Sequence, residues 1–172
     1  MTDVVMVIAP QIFRDEEYAE PKAVLEARGA CITTASTAPG KCIGKLGMVA
    51  EAEVSVAEAA KRDWDAVVFV GGAGASVFFD DASAHALAHR VHESAGIVAA
   101  ICIAPSTLAH AGLLDGICAT AFPTQREDLI AHGAQWLEDP VAVSAPFITA
   151  NGPEAATDFG EQVADALGLP EL

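Results

Sequence analysis

Basic residues are scarce in this chain: 9 Lys and Arg stand against 24 Asp and Glu in 172 residues, a net charge of −15. So acidic a surface repels phosphate backbones and anionic headgroups, which argues against nucleic acid or a membrane as partner. Acidity of this kind commonly serves solubility alone. Cysteines are few and scattered. Cys31, Cys42, Cys102 and Cys118 form no C-x-x-C pair, so neither a zinc knuckle nor a disulfide framework is indicated and free thiols are expected. Long apolar runs are missing as well. Val4 to Ala9 is too short to span a bilayer, and Asp3 stands where a secretory leader carries basic residues, so a cytoplasmic location is expected. The chain shows no internal repeat, and no cofactor is expected.

What is present suits one substantial core. Hydrophobic residues make up 52% of the chain, enough for a single domain over residues 1–172. Val4-Val5-Met6-Val7-Ile8-Ala9 is a continuous apolar run rich in β-branched residues, the pattern of a strand buried on both faces of a parallel sheet. An acidic loop follows, then a helix from Pro21 to Arg28 with Pro in its first turn and Gly29 past its end, then a strand over Ala30–Ala35. Ala38 to Gly47 carries turn chemistry and predicts a hairpin at one edge. A helix is expected around Val56–Lys61, a strand over Ala66–Val70 ending on Gly71-Gly72-Ala73-Gly74, a helix over Asp81–Ser94, and a strand over Ile97–Ile101 that runs into Cys102. Pro105 then opens another helix, and Ala155–Leu167 forms the last. Strands alternating with helices predict an open, mainly parallel sheet covered on both faces.

Sites in such sheets form outside the carboxyl ends of the strands. Gln11 to Glu17, the turn Gly71-Gly72, and Cys102 all fall there. A cysteine at the start of a helix faces unpaired N–H groups and the positive end of the helix dipole, which favour thiolate over thiol. The amides of Ile103 and of Gly71-Gly72 could converge on one small volume and hold an oxyanion. The competing reading is a buried cysteine that fills space beside a solvated acidic loop.

Ala99-Ala100-Ile101-Cys102-Ile103-Ala104-Pro105 resembles the nucleophile elbow of the ThiJ/PfpI superfamily, also called the DJ-one superfamily. Glu16 to Pro21, Val70-Gly71-Gly72, Asn151-Gly152-Pro153 and Ala156 to Gly160 resemble further segments of that superfamily, so the likeness runs along nearly the whole chain. The resemblance implies a flavodoxin-like three-layer sandwich with a mainly parallel central sheet, usually homodimeric. It also implies that Cys102 is the nucleophile and Glu17 the acid against its sulfur. Glu17 would then be protonated by burial, donating to sulfur and shuttling protons. Glyoxalase or deglycase chemistry on small reactive carbonyls is the implied activity, with oxidation of Cys102 in a stress-responsive protein as the alternative.

One departure stands out. Relatives place a histidine directly after the cysteine or before a later proline, where this chain has Ile103 and Phe122. Loss of a general base counts against an intracellular peptidase. His85, His89 and His92 share a helix at spacings of four and three but are expected to be solvated rather than metal ligands, and no metal site is expected. His110 and His132 receive no catalytic role. Cys31 and Cys118 lie in strand-like runs and are expected in the core, whereas Cys42 lies in a Gly- and Lys-containing turn where it could be exposed, with secondary oxidation there as the lesser of two readings. Phe78 and Phe79 are expected to pack in the core.

Overall fold

A computed structural model describes residues 1–172. Strand β1 (Thr2–Val7) and its continuation bury Val4, Met6 and Ile8 on one side and Val5, Val7 and Ala9 on the other, which is why the run is apolar without alternation. β2 (Gln11–Phe13) leads into α1 (Asp15–Ala27), followed by β3 (Ala30–Ser36) and the antiparallel hairpin of β4 (Gly40–Gly44) with β5 (Val49–Ala52). Then come β6 (Val54–Ser55), α2 (Val56–Ala59), β7 (Ala66–Phe69), a 3-10 turn over Ala73–Phe78, α3 (Ala82–Glu93) and β8 (Ile97–Ile101). The chain continues through α4 (Pro105–His110), β9 (Cys118–Ala119), α5 (Arg126–Ala131) and β10 (Gln135–Trp136). It closes with β11 (Val141–Ser144), β12 (Phe147–Ala150) and α6 (Ala156–Ala166).

The main sheet has the order β11-β12-β8-β7-β1-β3-β6, and only β11 runs antiparallel to its neighbour. Leu25 of α1 and Phe159 and Val163 of α6 cover one face; Val56 of α2, Leu87 and Val91 of α3, Leu108 of α4 and Leu129 of α5 cover the other. Each such fully buried side chain contributes about 1.5–3 kcal/mol. The result is the expected flavodoxin-like sandwich. No helix is long and apolar enough to cross a membrane.

The first helix departs from expectation. It begins at Asp15, not near Pro21, so the acidic segment read as a loop is its first turn and Pro21 lies inside. Negative side chains are favourable at that end of a helix dipole. Proline has no N–H for the carbonyl four residues earlier, that of Glu17, and the helix tolerates it because packing against α6 holds the segment. Arg28, 4% exposed, anchors the far end through Glu161 and Asp165, both at 2.8 Å, and the Leu169 carbonyl at 2.9 Å. Glu17 is thereby carried on a well-fixed helix.

The three other cysteines reverse their expected places. Cys31 is exposed, because the short β6 pairs with β3 only at Ala35 and Ser36 and leaves the start of β3 uncovered. Cys118 is partly exposed beside Gln135 on the two-residue strand β9. Cys42 is buried, since the alternation of β4 turns it inward against the second core cluster. Cys42 is therefore not a surface oxidation site. Phe78 does pack in the core, and Phe79 lies against His110. The α3 histidines are half-buried rather than solvated: His85 and His89 are bonded to the carbonyls of Phe79 and Ala111, and His92 packs against Phe147.

Candidate active site

Cys102 stands between β8 and α4 with φ of +64°, a left-handed conformation that a side-chain-bearing residue rarely adopts. Its backbone is clamped on both sides. Its N–H donates to the Ala150 carbonyl at 2.9 Å, and its own carbonyl accepts from the Phe122 N–H at 2.8 Å. Those bonds to neighbouring segments offset the local strain and aim the thiol at the carboxyl ends of the strands.

The glycine turn after β7 brings the acid to the thiol. Gly71 separates them so narrowly that a Cβ there would fall 2.5 Å from both the Cys102 Cβ and Glu17 Oε1. Gly72 has φ of +99° and lies flat against the Ile12–Arg14 backbone, where a side chain would collide with the Arg14 nitrogen at 2.4 Å. The Arg14 N–H donates to the Gly71 carbonyl at 2.9 Å, docking the start of α1 on this turn. Backbone packs on backbone here, which only glycine permits.

Three consecutive acids meet three environments. Burial would raise the Asp15 carboxyl, but the amides of Leu46 and Met48, each donating at 2.9 Å, hold it below the ordinary range. Glu16 is lowered by its paired hydrogen bonds from Arg14, at 3.1 and 2.9 Å. Glu17 is fully buried, and burial pushes its pKa from 4.5 to about 7. Its two oxygens complete no hydrogen bond of good geometry; the Cys102 thiol and the Gly71 amide face them.

The thiol itself is not lowered, contrary to the expectation from a helix start. Burial, and then the charge of Glu17, push Cys102 up to about 12, against the opposing pull of the Gly72 and Ile103 amides. Two reasons are visible. α4 begins only at Pro105 and spans six residues, so its dipole is short and displaced, and the sulfur is largely buried. Of the expected anion-holding amides, those of Gly72 and Ile103 face sulfur, whereas that of Gly71 faces the carboxyl. Because the two acids share one cavity, loss of the first proton makes the second harder to remove.

A cavity of about 330 Å³ opens over the sulfur, walled by Ile12, Ile103, Phe122 and Pro153 and reaching Glu17, Gly72, Ala73 and Thr124. Ile103 and Phe122 thus present apolar walls at the two positions where the resemblance would place a histidine, and no histidine lines the space. Sequence reading missed two other residues of the rim, Arg14 and Lys45. Their positions in a charged loop and a tight turn carried no periodic signal, and only the docking of β2 against β4 brings them together.

A sequence model of the DJ-1/PfpI family matches residues 2–166. The chain belongs to that family. A ThiJ/PfpI domain protein from Brachyspira murdochii is 33% identical, superposes with a TM-score of 0.92, and is matched over 96% of both chains. A protein of Methanocaldococcus jannaschii without an assigned activity is 37% identical over 167 residues, 95% of this chain and 82% of its own. A deglycase of Thermococcus kodakarensis is 28% identical over 149 residues, 87% of this chain and 90% of its own.

Proposed function

We propose that this protein is an enzyme in which Cys102 adds to small reactive carbonyls, in the manner of a glyoxalase or deglycase, with Glu17 moving the protons. The carrying observation is the buried Cys102–Glu17 pair flanked by the Gly72 and Ile103 amides. A carboxyl with a pKa of about 7 is near its optimum as a general base at neutral pH, and it takes the role left open by the absent histidine. In the proposed reaction, Glu17 accepts the thiol proton as sulfur attacks the aldehyde carbon of a 2-oxoaldehyde, and the proton passes to the new oxyanion to give a hemithioacetal. Transfer of the C1 proton to C2 through Glu17, with the C1 hydroxyl proton passing to the C2 oxygen, converts it to a thioester, and water then adds to the thioester carbonyl, releasing a 2-hydroxy acid and restoring the thiol. The two amides suit the oxyanion formed next to sulfur.

The rim adds a preference. Arg14 and Lys45 border the cavity of a chain with net charge −15; Arg14 is engaged by Glu16, while Lys45 has no ion-pair partner. A carbonyl compound carrying a carboxylate or phosphate would meet its one favourable charge there. The alternative, oxidation of Cys102 to sulfenic and sulfinic acid in a redox sensor, is favoured by the unpartnered oxygens of Glu17, to which an oxidised sulfur could bond once the acid is protonated. It needs a standing thiolate, however, and the thiol is held protonated.

Methylglyoxal turnover followed by lactate formation tests the proposal. Wild-type protein should convert it and Cys102→Ser should lose activity by a thousandfold or more, roughly as other nucleophile deletions do. No conversion by the wild type, with peroxide adding oxygen to Cys102 alone by intact mass, would replace the enzyme with the sensor.

A further inference from the structure

At the far end of α4 from Cys102, His110 meets Asp128 of α5 and His132 just after it. One donor atom from each of these three side chains lies within 4.8 Å of the other two. His110 Nε2 sits 2.9 and 2.8 Å from the two Asp128 oxygens, and its Nδ1 sits 2.7 Å from Asp80 Oδ1. His132 Nδ1 is 2.8 Å from the Asp128 carbonyl oxygen and 3.5 Å from Asp128 Oδ1. The two imidazole rings lie 4.5 Å apart, nearly parallel.

We propose that His110, Asp128 and His132 bind a divalent transition ion of the zinc type. Two imidazoles and a carboxylate form a donor set that such ions take and that magnesium and calcium, which favour oxygen, do not. Each ring also has its Nδ1 held by an oxygen acceptor. A carbonyl oxygen only accepts, so Nδ1 of His132 donates to that of Asp128 and Nε2 is the nitrogen left for an ion; Asp80 accepts from Nδ1 of His110 in the same way. A carboxylate or carbonyl on the second ring nitrogen is the usual partner of a metal-bound histidine.

Charge and access point the same way. No lysine or arginine pairs with Asp80 or Asp128, so the cluster holds two carboxylates whose only counter-charge is imidazolium. His110 and His132 side chains are 18% and 38% exposed, which leaves an entry path and room for water to complete the coordination. On binding, the ion replaces the proton between His110 Nε2 and Asp128; that proton goes to solvent, and no covalent bond is broken. The ion would tie α4, which follows Cys102, to α5, which follows the cavity residues Phe122 and Thr124. It would act as a clasp behind the site, not as a reactant in it.

The test is cobalt binding to untagged, chelator-treated full-length protein. The expected result is one Co²⁺ per chain, displaced by Zn²⁺, with a visible spectrum that lacks a thiolate charge-transfer band and is unchanged in Cys102→Ser and Cys31→Ser. His132→Ala and Asp128→Asn should abolish saturable uptake, and Asp80→Asn should weaken it by roughly 10- to 100-fold with the metal-free melting temperature unchanged. In the wild type, Cu²⁺ should broaden the ring signals of His110 and His132 before those of His85, His89 and His92, a readout that needs no variant. Absence of uptake below millimolar ion, a thiolate band lost in Cys31→Ser, or binding unaffected by His132→Ala would overturn the proposal.

Discussion

At the N-terminal end of α4, Cys102 and Glu17 are 9% and 0% exposed; at its C-terminal end, His110 lies between Asp80 and Asp128, with Asp80 84% exposed. Both places gather titratable groups, yet they favour opposite states. In the cavity, burial dominates and drives Glu17 and Cys102 toward their neutral forms. At the other end, burial also works against a charged His110, but the two carboxylates outweigh it and raise its pKa. One helical segment of six residues thus separates a buried pair driven toward its neutral forms from a more exposed cluster in which a charged imidazole is favoured. Burial decides the balance at one end and neighbouring charge at the other.

The strongest way to break this contrast is to remove the proton acceptor from the buried end. Glu17→Gln should cut methylglyoxal turnover by about 100- to 10,000-fold and erase the rise in kcat expected of the wild type as pH climbs through about 7. A retained pH profile in steady-state kinetics would show that another group is the base.

Stability offers the next largest effect. Glu17 holds its proton more tightly folded, at about 7, than unfolded, near 4.5, so its contribution to stability is full below pH 4.5 and is lost as pH rises through 7. The loss approaches roughly 3 kcal/mol, at about 1.36 kcal/mol for each pH unit in that window. Glu17→Gln should therefore gain on the wild type between pH 5 and pH 8.5 in urea denaturation. An advantage that does not grow with pH would mean that the carboxyl is better solvated than its burial indicates.

A smaller effect sharpens the comparison at the rim. Lys45→Ala should raise KM for an anionic carbonyl substrate about fivefold and leave a neutral one unchanged, as expected for removal of one exposed charge. Added salt should diminish the difference.

Much of this was legible before any coordinates. Continuous apolar runs such as Val4–Ala9 identify strands covered on both faces, and Gly-Gly after one strand with Cys102 after the next locates the carboxyl-end site. The resemblance of Glu16 to Pro21 to the family segment points to Glu17, although the helix that carries it begins at Asp15, six residues before the start that Pro21 suggests. The cysteines failed for a definite reason: Cys42 and Cys31 differ in burial because of which strand covers them, and short edge strands are weakly encoded. His110, Asp128 and His132 belong to different segments with no motif between them, so no local pattern announces their meeting.

The sequence by itself determined the order of strands and helices, the two-sided core and the placing of Cys102 at a strand end, because hydrophobic periodicity and Gly/Pro punctuation act over a few residues. Only the tertiary structure decided the ionisation of the site. Asp15, Glu16 and Glu17 are adjacent acids: Glu16 is paired by its sequence neighbour Arg14, whereas the fates of Asp15 and Glu17 come from two amides and from burial supplied by distant parts of the chain. Tertiary packing also decided that the thiol would be held protonated, since desolvation depends on what surrounds the sulfur and not on the residues beside it in sequence.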